Sequence, residues 1–537
     1  MSKIAEKSHI NSSSQLNNCI KLLALEEILV SNKIREIFIH GPVKNNQLVN
    51  AIELLCSNLD IVVCNQTSNE YFKFNIKKYL HKYRPEILSV AFWLFRYLKL
   101  HWPLREKRKI SWFSGNQSII IFSYFFALNV GKCSKGEFYS KQWGALPKIF
   151  KRKGVKINWM HHFMSFNGMN DTSTALSWIS GFNNNSEQQG MHAFFESQLS
   201  FSLVISVLKN YTKFFIRSFR IGKISDAFKV NNSEVDLWPI LKDEWIASIR
   251  GGAAIRNCMF IELVDKAIKS LPYQKNALYL QENQFWEVAL IHAWRLYNHG
   301  EIIGVPHATV NFWDIRYFND KRAIDSVGQF AQPMPDFMAL HGPVARRHFV
   351  DAGFPLSKTV EVEALRYLHL GAAKCIKHIS EDIINIVAVG ELKIKPTLEM
   401  LRAAGKAAHC NKDITLTFKP HPACLINRAM IDIPEIIITN ESLELLLPNF
   451  DIAIVSGSTS AAVDFYYSGI GMIIYLGADE LNLSPLREFE DVVFVRTADD
   501  LKEELAQFDK KSSRKIGDKK FFWTNEALPR WNLLINK

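Results

Sequence analysis

ITLTFKPHP (residues 414–422) and DIAIVSGSTS (residues 451–460) share one pattern: a short apolar run, then an abrupt loop of rigid or hydroxyl-bearing residues. The same rhythm surrounds them. Ile383–Val389 (IINIVAV) reads as a buried strand ending at Gly390, and Glu435–Thr439, Met472–Leu476 and Val492–Val495 read as further strands. Thr397–His409 and Ser442–Leu447 carry helical patterns between them. Strands alternating with helices of this length predict a parallel sheet with crossover helices, hence the α/β class. Open sheets of that kind bind ligands just beyond the carboxyl ends of their strands. Ser456, Gly457, Ser458, Thr459 and Ser460 open a helix there, where free N–H groups, hydroxyls and the helix dipole favour an anion. Lys419 and His421, held between Pro420 and Pro422, stand at a neighbouring strand end. An ordinary N-cap would explain the serine run alone; both loops together predict a phosphate site.

Outward from this block, the front of the chain is also α/β in pattern. Glu36–His40 and Leu59–Cys64 read as short buried strands, the first ending in a Gly41–Pro42 turn. A helix is expected from about Tyr71 to Leu100 and another over Tyr139–Arg152, with strands at Ile110–Phe113, Lys156–Met160 and Asn276–Leu280. Residues 165–195, rich in Asn, Ser and Gly, read as a long polar loop, either a functional lid or disordered. Residues 196–250 look helical. Ile87–Leu100 and Ile119–Val130 are the most apolar stretches; both are too short for the roughly 18–20 residues of a membrane span and read as buried core.

A chain of 537 residues exceeds what one hydrophobic core usually holds, so two domains are expected. The eight cysteines include no C-x-x-C pair, which argues against a zinc ribbon or a thioredoxin-type motif and fits thiols in a reducing compartment. The first fifteen residues lack the apolar segment of a secretory signal. The net charge of +12 is uneven: residues 1–250 hold 33 Lys and Arg against 18 Asp and Glu. Arg105–Lys109, Lys148–Lys156 and Lys209–Lys223 concentrate it, and the last interleaves aromatics with cations. Such a helix suits an anionic lipid surface, though a solvated helix face has the same composition. No nucleic-acid motif accompanies the charge, so no nucleic-acid partner is expected.

A second polar concentration follows the Asn276–Leu280 strand, in QENQFWEVALIHAWR (residues 281–295). Glu282, Gln284 and Glu287 cannot all face water on so apolar a segment, and buried carboxylates without partners are costly. His307, Asp314 and Arg316 recur downstream beside Phe312, Trp313, Tyr317 and Phe318, a mixture suited to a sugar. Internal ion pairs, Glu287 with Arg295 or Asp314 with Arg316, are the structural alternative.

Phe418-Lys419-Pro420-His421-Pro422, with Ser456-Gly457-Ser458-Thr459-Ser460-Ala461-Ala462 downstream, resembles the C-terminal signature of bacterial GT-B glycosyltransferases that build surface polysaccharides. That group includes the bacterial sialyltransferases and capsule Kdo transferases and, more distantly, polymerases using CDP-glycerol. Tyr279–Glu287, His292–Arg295, Gly304–Phe318, Pro335–Asp336, Gly342–Pro343, Glu363–Tyr367, Trp143–Pro147 and Asn158–Trp159 resemble a family of surface-carbohydrate biosynthesis transferases, so the similarity spans most of the chain. It implies two Rossmann-like domains facing a cleft. Residues 1–368 would form the acceptor domain with a helical insertion, 369–520 the nucleotide-sugar donor domain, and 521–537 a helix returning to the first.

The resemblance further implies that His421 and Ser458, Thr459 or Ser460 hold the donor phosphate. Lys419, His421 and the Ser456–Ser460 helix end would stabilise the leaving nucleotide. Glu282 or Glu287 would deprotonate the acceptor hydroxyl, and Gln284, His307, Asp314 and Arg316 would bind sugar. The chain has no D-x-D triplet, so catalysis without a metal and without a cofactor is expected. The expected activity is transfer of a ulosonic acid (sialic, pseudaminic, legionaminic or Kdo type) from a CMP-activated donor to a lipid-linked or lipopolysaccharide glycan. The expected location is the cytoplasmic face of the membrane, reached through the basic N-terminal half. The alternatives are a CDP-glycerol-type or UDP/GDP-sugar transferase on the same fold, or a non-catalytic glycan-binding scaffold.

Overall fold

The computed structural model describes residues 14–40, 46–66, 86–105, 110–166, 169, 171–188, 190–221, 224–310, 314–320, 322, 324, 331–372, 383–409, 413–422, 424, 426–434, 436–477, 480–508 and 521–535. The Gly41–Pro42 turn, residues 71–85 of the expected front helix, Glu106–Lys109, Asn311–Trp313 and Lys223 lie outside them. The chain divides into two compact units: Met1–Lys141, Pro147–Val305 and Asp314–Met338, and Gln142–Leu146, Pro306–Trp313 and Ala339–Lys537.

In the first unit, β1 (Glu36–His40) and β2 (Val62–Gln66) form a two-stranded parallel sheet. β1 alternates exposed with half-buried residues, so it is not the buried strand the sequence suggested. Ile37 packs onto an apolar cluster, while Phe38, on the other face, is exposed. The large sheet contains β3 (Ser118–Phe125), β4 (Lys156–Phe163), β5 (Gly190–Phe194), β6 (Asn276–Gln281), β7 (Glu301–Pro306), β8 (Phe337–Leu340) and β9 (Thr359–Glu361), of which β9 and the end of β8 count with the second unit. Its order is β5-β4-β3-β6-β7-β8-β9. β3 is buried at every position, as expected for a central strand covered on both faces.

Three expectations fail here for local reasons. Ile110–Phe113 is not a strand; the Phe113 N–H donates to Asn158 Oδ1 (3.1 Å), and its carbonyl accepts from Asn158 Nδ2 and Gln274 Nε2 (2.9 and 2.8 Å). Side chains thus replace a strand neighbour. The polar region 165–195 contains a helix, Thr172–Asn184, and the strand β5. Asp171 caps that helix through Thr174 N (2.8 Å), and Ala175, Trp178, Ile179 and Phe182 bury one face at helical spacing. Ile87–Leu100 lies in the helix Glu86–His101, which buries Val90, Tyr97 and His101 but leaves Leu88, Phe92 and Phe95 exposed.

The sheet of the second unit contains β10 (Ile384–Val389), β11 (Ile414–Lys419), β12 (Ile437–Ile438), β13 (Ile452–Ser456), β14 (Gly471–Tyr475) and β15 (Val493–Val495), all parallel. Its order is β12-β11-β10-β13-β14-β15, so the chain winds one way from β10 to β12 and the other way from β13 to β15. That is the doubly wound Rossmann order, with its switch point between β10 and β13. Alternate residues serve opposite cores. Val387, Val389, Ala453 and Val455 face one, while Ile386, Ala388, Ile452 and Ile454 face the other. In the first unit β3 and β6 are the corresponding reversal.

The sequence reading kept residues up to 368 with the first block, whereas Ala339 onward belongs to the second unit. The C-terminal segment is fastened inside this unit. The Glu363 carboxylate accepts from Arg530 N (3.1 Å) and Trp531 N (3.2 Å), and Trp531 Nε1 donates to the Glu363 carbonyl (2.9 Å). Phe521 and Phe522 enter the same core as Val387 and Val455. The terminal helix is shorter than expected, Pro529–Ile535.

Candidate functional site

The register of the second sheet sets three loops level. Val389 pairs with Lys419 on β11 and with Val455 on β13. Gly390–Glu391, Pro420–His421 and Ser456–Ser458 therefore leave neighbouring strands at the same carboxyl edge. Close packing explains the glycines. A Cβ on Gly390 would lie 2.7 Å from Thr397 Cγ2, and one on Gly457 would lie 2.7 Å from Leu476 Cδ2.

A residue the sequence reading overlooked joins these loops. Glu391 is 2% exposed, and its Oε2 accepts from Ser456 Oγ (2.9 Å), Ser458 Oγ (2.7 Å) and Ser458 N (3.2 Å). Its amide donates to Thr397 Oγ1 (3.1 Å), which fixes the turn after β10. The Ser456 and Ser458 hydroxyls and the Ser458 amide, expected to grip a donor phosphate, thus hold the protein's own carboxylate. A phosphate at that point must displace Glu391 or bind beside it. Glu391 follows the glycine that closes a strand, and its own position was the only signal available in the sequence.

His421 shares this charged neighbourhood. Burial lowers its affinity for a proton, Glu391 raises it, and Arg366 and Lys419 lower it further. Lys419 donates through Nζ to the Glu441 carbonyl (2.5 Å), and burial lowers its pKa. Its ammonium is thereby committed to the sheet edge. Arg366, exposed and close enough to act on His421, is a second cation. Thr459 Oγ1 accepts from Ala461 N (3.3 Å) at the start of the helix Ala461–Ser468, and Ser460 is its N-cap residue.

The first unit builds a different cluster at the end of β6. Glu287 lies in the first turn of the helix Phe285–Leu296, 2% exposed, and closes a capping box. Its carboxylate accepts from the amides of Glu282 (2.9 Å), Asn283 (3.1 Å) and Gln284 (3.0 Å). Burial pushes its carboxyl up to about 8, against the pull of those amides. Glu287 is therefore a capping group, which corrects its assignment as a possible base, and Gln284 is the N-cap residue. Asn283 holds a left-handed φ of 55° and donates through Nδ2 to the Arg316 carbonyl.

Asp314 and Arg316 form a two-pronged ion pair, Nε–Oδ1 2.8 Å and Nη2–Oδ2 2.6 Å, with both side chains largely buried. The charge of Glu282 acts on Arg316 as well. Glu282, Asp314 and Arg316 thus share one neighbourhood, where the structural alternative for Asp314 and Arg316 holds. Arg295 pairs instead with Asp336. Gln281 is wholly buried at the end of β6, and neither Nε2 nor Oε1 meets a hydrogen-bond partner. His307 belongs with the second unit, where its Nε2 faces Gln142 Nε2 at 3.4 Å. Among the described residues no group of three or more His, Cys, Asp or Glu is placed to hold a metal ion.

No family model matches the chain, and no curated protein matches it. Solved structures do resemble it at low identity. A UDP-GlcNAc 2-epimerase from Neisseria meningitidis bound to UDP-GlcNAc has 9% identity and a TM-score of 0.41, over 78% of this chain and 98% of that one. The calicheamicin glycosyltransferase CalG4 has 11% identity and a TM-score of 0.40, over 75% and 94%. MurG from Acinetobacter baumannii has 11% identity and a TM-score of 0.39, over 78% and 98%. The α/β class, with two parallel sheets that each reverse direction once, stands on this chain's own strand order.

Proposed function

We propose that the chain is a glycosyltransferase of GT-B type whose second unit holds the donor's nucleotide phosphate beyond the carboxyl ends of β10, β11 and β13. One observation carries the reading. Loops from three adjacent strands meet at a Rossmann switch point, where Glu391 binds Ser456 and Ser458 and acts on His421. His421 and Arg366 supply the cationic side, and the Thr459–Ser460 turn supplies a helix start.

Sugar transfer builds negative charge on the leaving phosphate and positive charge on the anomeric carbon. His421 stabilises the first by donating a hydrogen bond or a proton. Glu282, whose neighbour Glu287 is committed to the cap, is the carboxylate that deprotonates the acceptor hydroxyl. The CMP-ulosonic acid reading, preferred over UDP, GDP or CDP-glycerol donors, rests on the resemblance of Phe418–Pro422 and Ser456–Ala462 to the sialyltransferase and Kdo-transferase signature. The acceptor in this reading is a surface glycan, lipid-linked or part of lipopolysaccharide.

The test is nucleotide release from a donor panel (CMP-linked ulosonic acids, UDP- and GDP-sugars, CDP-glycerol) offered with glycan acceptors. CMP release that His421→Ala reduces by about 10²–10⁴-fold, without loss of fold, is expected. Release of UDP, GDP or CDP alone overturns the donor class. Absence of release from every donor overturns the enzymatic reading in favour of a glycan-binding scaffold.

A further inference from the structure

Within the second unit, the 3₁₀ segment Leu365–Ala372 packs against the helix Ala461–Ser468, which follows β13. Tyr367 anchors the segment. It is 3% exposed, and its ring stacks on Phe522 with 4.2 Å between centroids and 14° between planes. Its hydroxyl lies beside the side chain of Ser460, the N-cap residue, yet closes no hydrogen bond of normal geometry. A buried hydroxyl left without a partner beside a helix start is a feature that a bound anion explains.

The neighbouring charges are already committed, with one exception. Asp464, in the first turn of that helix, pairs with His369 (Nε2–Oδ1 3.3 Å). Glu391 is held by Ser456 and Ser458, and Lys419 by the Glu441 carbonyl. Arg366 is the exception. It is exposed, its Cζ lies 5.4 Å from the Tyr367 ring centroid, and among the described residues no carboxylate pairs with it. Its charge reaches both His421 and Tyr367. A phosphodiester carries one negative charge, which a helix start and an imidazole donor can match. That leaves the guanidinium with charge to spare, and its planar fork suits a carboxylate.

We propose that Arg366 holds a second anionic group of the donor, a carboxylate on the transferred sugar, beside the phosphate at the helix start, and so selects acidic sugars over neutral ones. The inference rests on the nucleotide-sugar reading of this site. A neutral sugar offers the guanidinium hydroxyl acceptors but no opposite charge. A second phosphate offers the same charge as a carboxylate, and the experiment separates the two.

The experiment is a cycle of calorimetric titrations on the full chain. The ligands are the CMP-linked ulosonic acid that wild type binds best and the same compound with its carboxylate converted to a carboxamide. Each is titrated into wild type and Arg366→Gln, with cytidine 5′-methyl phosphate as the probe of the phosphate alone and thermal melting as the check of fold. Wild type should bind the acid roughly tenfold or more tightly than the amide. Arg366→Gln should erase that difference, and Arg366→Lys, which keeps the charge without the fork, should restore part of it. Equal binding of acid and amide by wild type, or a preference that survives Arg366→Gln, overturns the inference. Loss of the methyl phosphate in Arg366→Gln as large as loss of the acid makes Arg366 a phosphate ligand and overturns it too. So does an Arg366-dependent preference for UDP over UMP without one for acid over amide, which assigns the second anion to a phosphate. Failure of the methyl phosphate and every donor to bind wild type removes the phosphate site itself, and this inference with it.

Discussion

At the residue scale, Glu391 and His421 separate two functions that the serine loop alone would have merged. Glu391→Ala leaves Ser456, Ser458 and the Ser458 amide without their acceptor. About 1–3 kcal/mol per stranded buried group is expected, read as a fall in the unfolding midpoint. Glu391→Gln keeps an acceptor but removes the charge, so donor KM should fall if a phosphate shares that place. An unchanged KM would make Glu391 purely a loop clamp. Two histidines outside the site make a separate prediction. His161 and His192 are fully buried, with Nε2 and Nδ1 3.1 Å apart. Burial lowers His161 to about 3 and His192 well below the ordinary histidine value. The unfolded chain therefore binds more protons than the fold as pH drops below about 6.5. Stability is fully present above that pH and should fall progressively towards pH 3, seen as a decreasing urea midpoint. His161→Gln should flatten the slope if the fold survives.

At the scale of elements, the sequence was most legible where periodicity and punctuation agreed. β10, β11 and β13 were readable because apolar runs of strand length end at Gly390, Pro420 and Gly457. The helix Thr172–Asn184 was not, because Asn and Ser outnumber its buried positions and Asp171 supplies the start locally. Asp171→Ala should lower the melting midpoint by removing this cap, measured by thermal melting. Glu287 misled for another reason. A buried carboxylate beside a polar loop looks like a base, but whether it faces substrate or its own backbone is decided by three-dimensional closure of the turn. Glu287→Ala should destabilise the protein by about 2–4 kcal/mol by stranding three amides. Glu282→Gln should leave the melt within about 0.5 kcal/mol of wild type and abolish transfer.

At the scale of the whole molecule, each unit carries a parallel sheet that reverses direction after its first three strands, and each places polar residues at that reversal. Gln281 ends β6 and Glu282 follows it in the first; Glu391 follows β10, and Ser456 ends β13 ahead of Gly457–Ser460, in the second. The alternation of strands and helices told the class. Which strands neighbour one another, and hence which loops converge, depends on long-range pairing that local pattern does not encode. The excess positive charge of the first 250 residues was visible in composition. That Leu88, Phe92 and Phe95 lie exposed required the fold, because Ile87–Leu100 is as apolar as a core segment.

The most direct measurement is calorimetric titration of the full chain with CMP, repeated on His421→Ala and Glu391→Gln. Saturable binding by wild type, at least about tenfold weaker in His421→Ala and tighter in Glu391→Gln, is the predicted result. Binding that His421→Ala leaves unchanged, or no binding of CMP and none of UDP, would contradict a nucleotide phosphate site at the second sheet's switch point.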